Sequence, residues 1–141
     1  MKEQKLSAEK SIDIRFQDVD MMQVVWHGAY ITYMEDAREA FGEQHGLSYK
    51  LFIAEKIMTP MVDMQVKYLR PLRYGMKPVI RISYRPSDAA KIIFDYEIFD
   101  PEKGWVYLRA QTTQVFMDFD YNLLWYSPEF YLNWKKEHGL E

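Results

Sequence analysis

The chain has 141 residues, 48% of them apolar and 16% aromatic, enough for one well-filled core and too few for a second ordinary domain, so one domain over 1–141 is expected. Its 18 basic and 21 acidic side chains give a net charge of −3, which offers no overall attraction to nucleic acid or to an anionic membrane. The absence of cysteine excludes disulfides, thiolate catalysis and thiolate metal sites, and makes the cytoplasm the expected location.

Residues 11–18, "SIDIRFQD", alternate Ile12, Ile14 and Phe16 with Asp13, Arg15 and Gln17, the period of a half-buried first strand. From about Gly28 to His45 the period changes. Tyr30, Tyr33, Met34, Ala37 and Phe41 recur at spacings of three and four, which predicts a helix with one apolar stripe, closed by the glycine of "HGL" at 45–47. Period two then returns. "MVDMQVKYL" sets Val62, Met64, Val66 and Tyr68 against Asp63, Gln65 and Lys67; "VIRISY" and "KIIFDYEIF" follow the same rule, and "WVYLRAQTTQVFM" is a fourth long run. The breaks "RPLRYG", "RPSDA" and "DPEKG" are turn sequences, so these strands are expected to be antiparallel neighbours. "SPEFYLNWKKEHGLE" predicts a short C-terminal helix with Ser127 as its cap and Pro128 at its first turn.

One strand, one helix, four strands and a terminal helix predict an α+β fold, with the helix against one face of an antiparallel sheet of about five strands. With Val106 and Leu108 facing the helix, Trp105, Tyr107, Val115 and Met117 are expected to face away and to form part of a subunit interface. The opening "MKEQKLSAEK" holds no apolar stretch of signal-peptide length, and no run of about 18 apolar residues follows, so neither export nor membrane spanning is expected.

The chemistry gathers in "RFQDVDMMQVVWHGAYITYMEDAREAF", residues 15–41. A carboxylate with an ordinary pKa of about 3.9 is ionised at neutral pH, so Asp20 can attack a carbonyl or deprotonate a water. Seven residues later the chain enters a helix whose first N–H groups carry partial positive charge and can hold an oxygen on which negative charge develops. Asp18 reads as a turn or partner residue, the His27 imidazole as a capping or packing group whose backbone is the better donor, and Tyr30 and Tyr33 as members of the apolar stripe. Arg38 is placed to pair with Glu35 or with a neighbouring subunit.

This stretch, followed by "VKYLRPLRYG", resembles the 4-hydroxybenzoyl-CoA thioesterase group of hotdog-fold acyl-CoA thioesterases, through Asp18 and Asp20, Val24 and Val25, His27, Tyr30, and Ala37 with Arg38. The resemblance implies a hotdog fold, in which the sheet wraps around one long central helix, and a thioester hydrolase that needs no cofactor beyond the coenzyme A of its substrate. It implies Asp20 as the catalytic carboxylate, as base or nucleophile, and the His27 N–H as the group that polarises the thioester carbonyl. It also implies a homodimer or homotetramer with active sites at subunit boundaries. The sequence departs from the family at Met21, Met22 and Gln23, where relatives often carry small residues, and at Gly75-Met76, where Gly-Asp is frequent. Acyl preference, and coenzyme A against acyl carrier protein as the thioester's carrier, stay open.

Between residues 64 and 86 lie six basic residues, Lys67, Arg70, Arg73, Lys77, Arg81 and Arg85, and no acidic one. Arginine forks suit the phosphates of coenzyme A, so Arg70, Arg73 and Arg85 are candidate nucleotide contacts, with Tyr30 a further substrate contact. Ser87 and Lys91 lie in the next turn, where the resembling family places such contacts. His27, His45 and His138 are widely separated, and no metal-binding spacing, phosphate loop or nucleophile elbow is present. No nucleic-acid-binding module accompanies the basic run. A non-catalytic acyl-CoA-binding or assembly protein on the same scaffold is the competing expectation, from which retention of Asp20 argues away.

Overall fold

The computed structural model describes residues 6–140; the reading of residues 1–5, at the start of the chain, lies outside the described residues. The elements are β1 (Ser7–Ser11), α1 (Ala29–His45), α2 (Tyr49–Ala54), β2 (Ile57–Met58), β3 (Met61–Tyr68), β4 (Val79–Arg85), β5 (Lys91–Phe99), β6 (Val106–Val115), β7 (Met117–Asp118) and α3 (Glu129–Glu137). Five strands form one sheet in the order β1-β4-β5-β6-β3, with every neighbouring pair antiparallel. The short β2 and β7 pair separately. This is the hotdog arrangement: one long helix laid on the concave side of an antiparallel sheet.

The helical stripe is where the sequence places it. Tyr30, Tyr33, Met34, Ala37 and Phe41 are all buried, and Gly46, in the left-handed region at φ 74°, closes α1 by donating its N–H to Gly42 O. The facing rows are Ile80, Ile82 and Tyr84 of β4 and Ile92, Phe94, Tyr96 and Ile98 of β5. Phe41 meets Phe94 edge-on at 4.9 Å and Tyr84 in a stack at 6.5 Å. Trp134 of α3 joins this aromatic cluster and donates its indole N–H to His45 O at 2.7 Å, fastening the terminal helix to the end of α1.

Four expectations need correction. The first strand is Ser7–Ser11, not 11–18: its ladder ends at the pair Ser11 and Val79, because Pro78 precedes β4 and has no N–H to continue it. Ile12 and Ile14 are still buried, but Phe16 is 81% exposed in a single 3-10 turn, Phe16–Asp18. In β3 a bulge between Met61 and Asp63 turns Val62 outward, and Tyr68 at the strand's end is also exposed. In β6 the register shifts, so that Val106 pairs with Phe99 and Leu108 with Ile98; the extra residue, Tyr107, is buried instead of facing away. Pro128, not Ser127, occupies the N-cap position of α3, where no side chain caps the helix.

Candidate active site

The Asp-x-Asp segment is a tight hairpin in front of α1. Val19 bridges Val25, Asp20 N–H donates to Val24 O at 3.0 Å, and Gln23 takes a left-handed φ of 65° to close the turn. The two aspartates have different work. Asp18 Oδ2 accepts from Arg15 N–H at 2.9 Å and from the Tyr33 hydroxyl at 2.8 Å, which ties the turn to the helix core. Burial first, and then the Asp18 carboxylate, push the Tyr33 hydroxyl's pKa far above its ordinary value, so it remains a donor.

Asp20 is exposed. Its Oδ1 accepts from Met22 N–H at 2.8 Å, and the carboxylate makes no other hydrogen bond or ion pair among the described residues. It lines an open groove of about 740 Å³ with Met21, Gln23, Arg73 and Tyr74. Met21 is fully exposed, and Gly75 and Met76 line the same groove, so residues of both departures from the resembling family meet at it.

His27 sits two residues before α1. The Trp26 ring folds over Gly28 so closely that a Cβ there would collide with it, which only glycine permits. Among the described residues neither His27 nor Gly28 donates its N–H to a protein acceptor, while His27 O accepts from the Tyr68 hydroxyl at 3.1 Å. The helix start thus presents unoccupied donors. A cleft of about 280 Å³ beside the helix start is lined by His27, Tyr30, Tyr68 and Arg70.

Tyr30 is buried, and its hydroxyl accepts the Leu72 N–H at 3.3 Å; burial raises its pKa, the Leu72 bond opposing. It therefore positions the loop before β4 from beneath the cleft. Arg70 lies 4.8 Å over the Trp105 ring, which Lys103 also approaches at 4.6 Å. In the sequence Tyr68 reads as part of the strand's apolar row; its hydroxyl was the signal for a place at the cleft, whereas Trp105 is exposed, as expected, and reaches the site only through Arg70.

The basic run does not form one patch. Arg81 pairs with Glu9 at 2.8 Å and Glu97 at 3.5 Å, and Arg85 forks onto Asp95 at 2.9 and 3.0 Å. Lys67, Arg70, Arg73 and Lys77 have no carboxylate partner among the described residues. Arg70 and Arg73 precede β4 whereas Arg85, Ser87 and Lys91 lie at its other end, a separation of roughly 20 Å at about 3.4 Å per residue. Ser87 Oγ accepts Ala89 N–H and its carbonyl accepts Lys135 Nζ. Within one chain the site residues therefore form three groups: Asp20 with Arg73, His27 with Tyr30 and Arg70, and Arg85 with Ser87 and Lys91 across the sheet. Among the described residues no group of three or more His, Asp or Glu is placed to hold a metal, and no helix is long and apolar enough to cross a membrane.

Comparison with known proteins agrees with this architecture. The putative acyl-CoA thioesterase YneP of Bacillus subtilis (strain 168) is 27% identical over 111 residues, which cover 79% of this chain and 80% of that protein. The chloroplastic acyl-acyl carrier protein thioesterase ATL3 of Arabidopsis thaliana is 27% identical over 113 residues, 80% of this chain but only 60% of its own length. The crystal structure of DHNA-CoA thioesterase from Staphylococcus aureus matches with a TM-score of 0.82 at 25% identity, over 95% of this chain and 92% of that one. Residues 14–134 match the thioesterase-like superfamily, and the chain belongs to that family of hotdog-fold thioester hydrolases.

Proposed function

We propose that this chain hydrolyses an acyl-CoA thioester to coenzyme A and a carboxylic acid, with Asp20 as its catalytic carboxylate. The observation that carries this reading is the state of Asp20: one oxygen is fixed by Met22 N–H, and the carboxylate faces an open groove with no internal partner. As a base, Asp20 takes a proton from water while the water oxygen bonds to the carbonyl carbon; as a nucleophile, it forms an acyl anhydride that water then opens. In either case the carbonyl oxygen gains negative charge, which the free N–H at His27 stabilises, and the C–S bond breaks to release a thiolate that takes its proton from Asp20 in the base route and from solvent water in the nucleophile route.

In a single chain Asp20 and His27 line different concavities, so the proposal includes a second copy that completes the site. β3 has a free edge in the sheet order, with Val62, Tyr68 and Leu69 exposed along or just beyond it, and offers the surface for a homodimer or a larger homo-oligomer. Arg70 and Arg73 supply cations for the coenzyme A phosphates next to the proposed chemistry; the Arg85, Ser87 and Lys91 group reaches the same nucleotide only from another subunit. The test is a panel of aryl and aliphatic acyl-CoA thioesters with free-thiol detection. Turnover of at least one supports the hydrolase. Saturable binding of acyl-CoA without thiol release from any of them replaces it with the non-catalytic binder.

A further inference from the structure

A separate cavity, of about 290 Å³, lies between α1, α2 and the β5–β6 part of the sheet, and shares no lining residue with the Asp20 groove or the His27 cleft. Its floor is apolar, from Phe41, Leu47, Phe52, Ile92 and Phe94. Its wall holds Arg38, on the half-buried side of α1.

Arg38 combines partial burial with the lack of a carboxylate partner among the described residues. The cations of the outer sheet, Arg81, Arg85 and Arg109, each have a carboxylate within ion-pair distance. Arg38 has none among the described residues. Its Nη1 donates to the Tyr96 hydroxyl at 3.1 Å, Tyr96 in turn lies 2.6 Å from Thr112 Oγ1, and the buried Nε has no acceptor. The hydrogen-bond chain through Tyr96 and Thr112 fixes the guanidinium but leaves its charge uncompensated in a partly desolvated place, an arrangement that favours an anionic ligand.

We propose that this cavity binds a small organic carboxylate with an apolar body, an aryl acid or a short aliphatic acid, with the Arg38 guanidinium as the carboxylate's partner. The planar fork of arginine matches a carboxylate. An apolar cavity of about 150 Å³ already takes a benzene ring, so the volume here admits a ring or short chain together with its head group. Glu39 and Glu43 line the cavity as well, but they are exposed and make no ion pair with Arg38, and Lys50 offsets one of their two charges; they disfavour a multiply charged inorganic anion more than a monocarboxylate. The acid released by a thioester hydrolase belongs to the same chemical class, but the site and its test do not depend on turnover.

The test is calorimetric titration of the full chain with benzoate and hexanoate, with inorganic phosphate, benzyl alcohol and hexanol as controls and no thioester present. Saturable binding of at least one acid is expected, with at least tenfold weaker binding of its alcohol and of phosphate. Arg38→Gln should weaken the acid at least tenfold. Ile92→Phe, which fills the cavity and leaves the guanidinium intact, should do the same and serves if Arg38→Gln does not fold. The proposal is overturned by no saturable acid binding up to about 10 mM, by equal binding of acid and alcohol or of phosphate, or by unchanged binding in either folded variant. A change of oligomeric state in Arg38→Gln without acid binding to the wild type also overturns it, and assigns Arg38 to a carboxylate of a second copy. Failure here leaves the acyl-CoA assay untouched, because that assay reads thiol release at a different cavity.

Discussion

The Tyr33 hydroxyl donates to Asp18 Oδ2 at 2.8 Å, and this bond joins the middle of the apolar helix stripe to the turn that carries Asp20. A hydrogen bond to a charged, half-buried carboxylate contributes about 1.5–3 kcal/mol. Tyr33→Phe removes the donor while keeping the ring, so denaturant unfolding should show a loss of that size. Activity should fall as well, through the loosened turn. Wild-type stability in Tyr33→Phe would mean that Asp18 is held by Arg15 N–H alone.

Phe41 is the centre of the aromatic cluster that joins α1, β4, β5 and α3. Phe41→Ala should cost about 3–5 kcal/mol, the range for deleting a buried aromatic ring. It should also loosen α3, because Trp134 packs on the same ring. Hydrogen exchange gives the check: faster exchange across Glu129–Glu137 is expected, whereas a uniform change over the whole chain would show that α3 is not held by this cluster.

Burial raises the pKa values of Tyr30, Tyr33, Tyr84, Tyr96 and Tyr131 in the folded chain, most strongly for Tyr33 and Tyr131. A folded pKa above the unfolded value of about 10 means that the stabilisation is complete below pH 10 and declines as pH rises from there toward the folded value. Each such tyrosine contributes a loss of up to about 1.4 kcal/mol per pH unit in that window. Stability should thus be insensitive to these groups near neutral pH and fall steeply above about pH 10. Urea titrations across this range should show a shallower fall for Tyr131→Phe, once its lower starting stability is allowed for.

Much of this fold is legible locally, because five apolar positions on α1 and strict alternation in β4 and β5 leave one way to bury both. What was not legible depends on partners distant in sequence. β1 stops where Pro78 interrupts β4, and neither residue 11 nor its neighbours carries that information. β2 and β7 are two residues each, too short for any period. The α2 helix did leave a trace, since Ser48 caps it by accepting Leu51 N–H. The same division holds at the site. Two aspartates near a helix start can be read from the motif, but only the Tyr33 contact separates the structural one from the free one. The basic run reads as one patch until Glu9 and Asp95, from other strands, neutralise Arg81 and Arg85.

Coenzyme A recognition follows from that division. Arg70→Glu and Arg73→Glu should raise KM for an acyl-CoA more than for the matching pantetheine thioester, which lacks the nucleotide, and the difference should shrink with salt, since exposed charges are screened within about 10 Å at 0.1 M. Equal losses on both substrates would remove these arginines from nucleotide binding. Arg85→Glu breaks the Asp95 pair and separates the two ends of β4. A selective loss on acyl-CoA there places a second subunit's turn against the nucleotide, and an equal change on both substrates confines Arg85 to the sheet.

Asp20→Asn tests the chemistry most directly, because the substitution keeps the shape of the side chain and the oxygen that accepts Met22 N–H while removing the anion. Turnover should fall by at least about 10²-fold, the low end for general acid–base catalysis. Unfolding free energy should stay near wild type, since the Asp20 carboxylate makes no other hydrogen bond or ion pair among the described residues and the backbone bonds of Asp20 to Val24 and Gln23 are kept. Asp18→Asn is the counterpart. Its charge supports the Arg15 N–H and the Tyr33 hydroxyl, so it should lose stability first and activity only as the turn loosens. Michaelis constants and unfolding curves for the two variants separate the cases. Loss of turnover with intact stability in Asp20→Asn, against loss of stability in Asp18→Asn, supports the assignment. The reverse pattern makes Asp18 the catalytic carboxylate, and full activity in both variants removes an aspartate from the mechanism.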